Sequence, residues 1–260
     1  MYQKEIDFSK FSSIKIGPKI KVNMLQIGDN FDEVRGGFLV GGANNLLISP
    51  EPPKLFILSK DFDYIQDLGD TLVIGAATKT GRLLSFAKRE NIANLEFISK
   101  LPGTVGGMVA MNAGVKSWEI FNLIKEVQIN SKWVKRDEIE WGYRFAKIDG
   151  VVTAIKIKKE LGYSKELEKS LIALRANQPK NPSAGSAFKN PEGDFAGRLI
   201  EAVGLKGKRV GDMAFSEVHS NFLVNLGRGS FEDAITLLSE AKKRVFEEFG
   251  VMLEEEIKIV

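Results

Sequence analysis

The chain of 260 residues exceeds the roughly 100–150 typical of one domain, so two or three domains sharing a large core are expected. Its 37 Lys and Arg against 34 Asp and Glu leave a net charge of +3, suited to a small anionic ligand and too dispersed for a nucleic-acid footprint. The absence of cysteine excludes disulfides, thiolate nucleophiles and sulfur metal sites, and the single histidine, His219, excludes a His-rich metal centre, so no metal is expected.

In chain order, Ile14-Lys15-Ile16 and Ile20-Lys21-Val22 alternate as short strands do, with Gly17-Pro18 as the turn between them. Phe38-Leu39-Val40 enters a Gly-Gly-Ala-Asn-Asn turn and Leu46-Leu47-Ile48 leaves it. That is the layout of a loop that approaches a pyrophosphate, although it is neither a Walker loop nor a GxGxxG fingerprint. Leu55 to Leu58 and residues 70–77 read as strands, and 80–90 as a helix with Leu83, Leu84, Phe86 and Ala87 apolar.

Residues 101–114, LPGTVGGMVAMNAG, offer few side-chain hydrogen-bond groups but many backbone N–H groups. Gly103, Gly106 and Gly107 are expected to reach positive φ, so that successive N–H groups form a nest for anionic oxygen; a tightly packed Gly-rich turn is the alternative. Residues 126–130 and 151–157 alternate as strands, and 164–176 form an amphipathic connector helix. The Pro-rich stretch 177–193 marks a domain boundary or a functional loop. A helix over 194–203 stops at Gly204; Phe215 and residues 221–226 read as strands. Ser230 with Asp233 makes a capping box for a long helix ended by Gly250, and residues 253–260 alternate again, which would turn Glu254, Glu256 and Lys258 to one side. The order is α+β. No apolar run approaches the roughly 18 residues of a membrane span and MYQKEIDF is no signal peptide, so a cytoplasmic protein without membrane or nucleic-acid partners is expected.

Taken together, GGANNLLI, PGTVGGMVAMNAG, Gly142-Tyr143-Arg144, PSAGSAFKNP at 182–191 and LEEEI at 253–257 resemble, in order and spacing, the UDP-N-acetylenolpyruvoylglucosamine reductase family. The resemblance implies an α+β protein with a two-lobed FAD-binding domain of the vanillyl-alcohol-oxidase (PCMH) type, residues 1–60 and 61–181, and a C-terminal α+β substrate-binding domain, 182–260. It implies tightly bound FAD, NADPH as co-substrate, a UDP-sugar substrate and a place in peptidoglycan precursor synthesis; it leaves the oligomeric state open, a monomer sufficing. Implied flavin contacts are Gly41, Gly42, Ala43, Asn44, Asn45, Leu46, Pro102, Gly103, Thr104, Gly106, Gly107, Asn112, Ala113 and Gly114. Tyr143, Lys189 and Asn190 are implied to hold the substrate.

Arg144 matches the family position that stabilises the enolate, a role suited to a forked, permanent cation. Ser186 matches the proton donor to carbon, and Glu256 its acidic partner; the plainer readings are a turn serine and a solvated Glu-Glu-Glu run. Ala43 and Asn44 stand where the family usually has Gly-Ser, Lys100 where it has Gly, and Ala146 where it has Ser. An alanine at 43 is expected to need ordinary φ and to change how the first loop closes. The short span between Arg144 and Ser186 resembles the branch without the tyrosine-bearing insertion. Two alternatives stand beside this: another FAD-dependent oxidase of the same fold, and a nucleotide-binding module without catalysis.

Overall fold

A computed structural model describes all residues from Met1 to Val260. The chain forms two compact units, each drawn from separate stretches. The first comprises Met1–Lys4, Lys21–Gly42 and Pro53–Ala176, the second Glu5–Ile20, Ala43–Pro52 and Asn177–Val260. Both mix helices with largely antiparallel sheet, so the class is α+β.

The first unit is built on a five-stranded antiparallel sheet, in the order Lys132–Lys135, Ile124–Ile129, Val152–Lys158, Thr71–Gly75, Ile65–Asp67. Val152–Lys158 is central and buried along most of its length, with Val152, Ala154, Ile155 and Ile157 in the interior. Helices Thr80–Arg89, Val105–Ala110 and Lys165–Ala173 contribute Leu83, Ala87, Val105, Met108, Val109 and Leu171 to the core over this sheet. A second sheet pairs Leu55–Leu58 in parallel with Lys19–Leu25 and Phe38–Leu39. It has its own small core of Leu25, Phe31, Phe56, Phe62 and Val151.

The second unit has a four-stranded antiparallel sheet, in the order Ser183–Ser186, Phe222–Asn225, Met213–Phe215, Arg209–Val210. Helices Ala196–Ala202 and Phe231–Phe249 share its core. The capping box is present, with Ser230 Oγ accepting from the Asp233 N–H and the Asp233 carboxylate from the Ser230 N–H. Gly250 ends this helix at φ 67, a left-handed cap that a β-carbon would strain.

Three expected elements differ. Residues 14–16 are no strand: Lys15 sits at φ 61, and the Ser12 hydroxyl closes the turn by accepting from the Ile16 N–H and donating to its carbonyl. Ile14 and Ile16 are nonetheless buried, so their alternation reflects burial without pairing. At the C-terminus only Lys258–Ile259 pairs as a strand, parallel to Leu46–Leu47, and Ile259 is exposed. Leu253 and Ile257 are the buried positions there. The third difference concerns residues 101–114, which hold the short helix Val105–Ala110 where a loop was expected.

Candidate functional site

The first Gly-rich turn has open backbone donors. The carbonyl of Ala43 accepts from the Ser13 N–H, that of Asn44 from the Ser13 hydroxyl, and that of Asn45 from the Lys258 N–H. With these carbonyls engaged, the N–H groups of residues 41–45 donate to no protein acceptor. Consecutive unengaged N–H groups with a left-handed residue among them are what an anionic-oxygen nest requires. Ala43 supplies that residue at φ 49, so alanine takes the strained conformation despite its β-carbon, contrary to the ordinary φ expected of it.

The second Gly-rich stretch is organised differently. Of its three expected positive-φ glycines only Gly103, at φ 133, adopts one. Gly106 and Gly107 are helical, and the first N–H groups of the helix are engaged internally. Val105 donates to the Thr78 carbonyl, Gly106 to the Ala76 carbonyl at 2.8 Å, and Gly107 to the Thr104 hydroxyl at 3.3 Å. The physical need for glycine is close packing. A β-carbon on Gly106 would lie 3.0 Å from Ala76 Cβ, and one on Gly41 would lie 2.8 Å from Thr104 Oγ1 and 3.7 Å from Gly107 Cα. The start of the first turn is therefore packed directly on the cap of this helix. Pro102 leads into that cap, and the N–H groups of Gly103 and Thr104 remain without protein acceptors.

Asn112 is fully buried at φ 42. Its amide donates to the Gly142 carbonyl and the Glu119 carboxylate, both at 2.9 Å, while its oxygen accepts from the Phe121 N–H at 3.2 Å. Ala113 donates back to the Met108 carbonyl, and Gly114 opens a hairpin in which a β-carbon would meet the Trp118 carbonyl at 2.1 Å. Asn112 thereby fixes Glu119 and the hairpin that carries Arg144. Trp141–Gly142 and Phe145–Ala146 are the strands of that hairpin, with Tyr143 and Arg144 at its tip. Arg144 occupies φ 60, a left-handed position that costs a non-glycine residue about 1–2 kcal/mol and that clusters at functional sites. Its guanidinium donates to the Gly114 carbonyl at 3.3 Å, stands 4.0 Å from Glu119 and stacks 5.1 Å from the exposed Tyr143 ring.

In the second unit, Ser186 ends the strand Ser183–Ser186, opposite Phe222. Gly185, at φ 81, accommodates the irregular register just before it. The buried Asn221 pins the following residues: its amide accepts from the Phe188 N–H at 3.0 Å and donates to the Phe188 carbonyl at 2.8 Å, and its own carbonyl accepts from the Ala187 N–H. The Ala187 carbonyl in turn accepts from the N–H of Glu256 at 2.9 Å. Asn45 holds the same segment by donating to the Glu256 carbonyl at 2.8 Å. Thus Ser186 and Glu256, far apart in sequence, are carried on directly hydrogen-bonded segments.

The three adjacent carboxylates have separate environments. Glu254 pairs with Lys189 at 2.5 Å and Glu255 with Lys242 at 2.9 Å. Asn190 accepts from the Ala196 N–H at 3.1 Å, which caps the following helix. Leu46 is buried in the short parallel pair with Lys258. His219 Nδ1 accepts from the Asn221 N–H at 3.2 Å, and burial lowers its pKa, so it is a neutral residue bracing Asn221. Glu119 and Asn221, which orient these segments, have no motif of their own; their burial and bonding partners are what mark them.

The sequence model for the C-terminal domain of UDP-N-acetylenolpyruvoylglucosamine reductase matches residues 178–260. The UDP-N-acetylenolpyruvoylglucosamine reductase of Helicobacter hepaticus is 48% identical over 257 residues, covering 98% of each chain. That of Campylobacter jejuni is 44% identical, covering 98% of this chain and 99% of the other. The crystal structure of the same reductase from Thermus caldophilus superimposes with a TM-score of 0.84 at 31% identity, covering 100% of this chain and 99% of that one. With identity at this level along its whole length, the chain belongs to the UDP-N-acetylenolpyruvoylglucosamine reductase family of oxidoreductases.

Proposed function

We propose that this chain reduces the enolpyruvyl group of UDP-N-acetylglucosamine enolpyruvate to give UDP-N-acetylmuramate for peptidoglycan, using NADPH and a resident FAD. The observation that carries the reading is the joining of the Ser186 and Glu256 segments through the Ala187 carbonyl, which gives a hydroxyl and a carboxylate a common frame. The open N–H groups of residues 41–45, packed at Gly41 on Thr104 and Gly107, fit the pyrophosphate of FAD. Gly42, Ala43, Asn44, Gly103 and Thr104 would hold it through backbone donors. Asn45, Asn112 and Gly114 would act on it by fixing the segments around it. When bound, FAD supplies hydride transfer from NADPH to the enolpyruvyl β-carbon.

The chain's own residues then manage charge and proton. Arg144 stabilises the enolate that spreads into the substrate carboxylate. Ser186 Oγ delivers a proton to the α-carbon; a hydroxyl of such high pKa can do so only because the acceptor is a strongly basic carbanion. Glu256 assists by hydrogen bonding to the enolate or by supplying the proton. Lys189, released from Glu254, and Asn190 would hold the diphosphate, with Tyr143 against the sugar nucleotide. Residues 1–60 and 61–181 would form the two lobes around FAD and 182–260 the substrate domain; the family match from residue 178 supports the start of the last alone, and the compact units differ in grouping residues 5–20 and 43–52 with it.

The two half-reactions test this. Anaerobic NADPH should bleach the flavin of Ser186→Ala as fast as that of wild type. Reoxidation by the enolpyruvyl UDP-sugar should slow by several orders of magnitude. Equal loss in both halves would remove Ser186 from proton donation, and flavin reoxidised only by oxygen would favour an oxidase.

A further inference from the structure

The hydrogen bonds that frame Ser186 lead back to a residue that no step of the reaction uses, His219. Its Nδ1 accepts from the Asn221 N–H at 3.2 Å. A backbone N–H can only donate, so this nitrogen carries no proton and the imidazole is neutral in this arrangement. Asn221 in turn holds the residues after Ser186: its carbonyl accepts from the Ala187 N–H at 2.7 Å, and its side chain bonds both the N–H and the carbonyl of Phe188. The Ala187 carbonyl then accepts from the Glu256 N–H, so one imidazole nitrogen heads the chain of bonds that joins the Ser186 and Glu256 segments. The ring is confined on two sides. Phe222 meets it edge-on at 5.1 Å, and on the helix Ala196–Ala202 a β-carbon at Gly197 would lie 3.1 Å from His219 Cε1. Glycine at 197 is what lets that helix close on the ring. The charged groups facing it are Glu201 of the same helix, which accepts from the Ser220 hydroxyl at 3.1 Å, and Lys206, paired with Glu201 at 2.9 Å. Burial lowers the pKa of His219, Glu201 raises it and Lys206 lowers it; the net direction is down.

We propose that His219 is a positioning residue for proton delivery to carbon: its Nδ1 lone pair fixes Asn221, and through Asn221 the placement of the Ser186 hydroxyl. This rests on the reductase reading, in which Ser186 donates that proton. Protonation would turn Nδ1 into a donor facing a donor, a contact that the confined ring relieves by displacing Asn221. The frame of Ser186 is thereby coupled to a group that titrates in mild acid, below the usual imidazole value. Flavin reduction by NADPH needs neither Ser186 nor this frame, so it stays uncoupled from His219.

The experiment follows the two half-reactions of the FAD-loaded enzyme separately, by anaerobic stopped flow from neutral to acid pH. The titration of His219, the one histidine of the chain, is read in parallel by NMR. Reoxidation by the enolpyruvyl UDP-sugar should fall in acid with the midpoint of that titration, and reduction by NADPH should not. His219→Leu, which fills the space without an acceptor, should slow reoxidation about 10–100-fold at neutral pH, the scale of a misplacement of about 1 Å, and leave reduction at the wild-type rate. His219→Asn, whose side-chain oxygen can take the place of Nδ1 and does not titrate, should restore most of the lost rate and abolish the acid fall. An acid fall kept at the same midpoint by His219→Asn would give it to another group and overturn the proposal. So would wild-type reoxidation in His219→Leu, a His219→Asn variant no faster than His219→Leu, or equal slowing of both half-reactions, the mark of a purely structural role. If His219→Leu does not fold, the pH profile of His219→Asn against wild type decides by the same criterion. Wild-type enzyme whose reduced flavin is not reoxidised by the enolpyruvyl UDP-sugar would overturn the reductase reading itself, and this proposal with it.

Discussion

Two clusters in the unit built on the five-stranded sheet hold ionisable groups away from water, and they are composed oppositely. Around Glu168, acids meet donors: Lys88 Nζ donates at 2.6 Å and the Ser99 hydroxyl at 2.9 Å. Glu96, 1% exposed, accepts from the Ser164 N–H at 2.8 Å. The Glu96 Oε2 acceptor and the Tyr163 hydroxyl are buried without partners, but burial and the nearby Glu168 and Glu96 carboxylates push the phenol pKa up, so it stays a donor. Donor and acceptor coexist there, and a small shift or one water can join them. Around Arg144 and Arg175 the unmet group is a donor, the buried Arg175 Nε, while Arg144 is met by the Gly114 carbonyl at 3.3 Å and stands 4.0 Å from the Glu119 carboxylate. The difference is one of closure: Glu168 is met by donors within the unit, whereas the buried Arg175 Nε meets no acceptor.

The largest effect should come from Arg144. Arg144→Gln should slow reoxidation of reduced flavin by the enolpyruvyl substrate about 10²–10³-fold, the usual consequence of removing one group that stabilises a developing oxyanion. Thermal stability should fall modestly as the contacts to Gly114 and Glu119 are lost, so the rates are compared per folded molecule. A variant that unfolds while its folded fraction reoxidises normally would place Arg144 with the structural charges.

Glu168 should behave in the reverse way. Glu168→Gln should lower unfolding free energy by about 1–3 kcal/mol, because Lys88 and the buried Ser99 hydroxyl lose a charged acceptor. Turnover per folded molecule should not change. Burial by itself raises the Glu168 pKa, but hydrogen bonds from Lys88 and Ser99, the nearby Tyr163 hydroxyl and the charge of Lys88 together bring it below the usual carboxylate value. A depressed folded-state pKa means that the unfolded state binds more protons in acid. This contribution is therefore present above the ordinary Glu range and is lost as pH falls through the folded pKa. Chemical denaturation of wild type and Glu168→Gln from neutral to acid pH should converge; a constant gap would show that the carboxylate does not titrate as argued.

These clusters also mark how far the sequence could be read. The helices Thr80–Arg89 and Phe231–Phe249 follow from apolar spacing, and the second also from a Ser-Asp cap and a terminal glycine, all local signals. The helix Val105–Ala110 runs against local propensity, since Gly106 and Gly107 disfavour it. It exists because Thr104 caps it and because only glycine lets it approach Ala76 and Gly41. The sequence marks Ser186 and Glu256 through motifs, yet their common frame depends on Asn221 and the Ala187 carbonyl, partners that no periodicity reveals. Arg175 carries no pattern at all; only the burial of one nitrogen singles it out.

Lys100 gives the smallest effect and sharpens the reading of Arg144, because the two share a backbone conformation for different reasons. Lys100 lies at φ 64 and Arg144 at φ 60. After the short 3-10 helix Glu96–Ile98, Ser99 at φ −58, ψ 126 and then Lys100 form a type II turn, closed by the Leu101 N–H donating to the Ile98 carbonyl at 2.9 Å. The third position of that turn wants glycine. The Lys100 side chain is exposed, so nothing it touches offsets the strain. Lys100→Gly should therefore stabilise the fold, by less than about 1 kcal/mol, since relief of the left-handed strain is partly offset by the greater unfolded-state entropy of glycine. In a chain of this size that is a rise in melting temperature of about 1–3 °C. Lys100→Ala keeps the β-carbon and should give no such rise; if it rises equally, the gain comes from removing a surface charge and not from the turn. Arg144 holds the same left-handed backbone with its guanidinium turned inward to Gly114 and Glu119, so there the strain serves to aim a side chain.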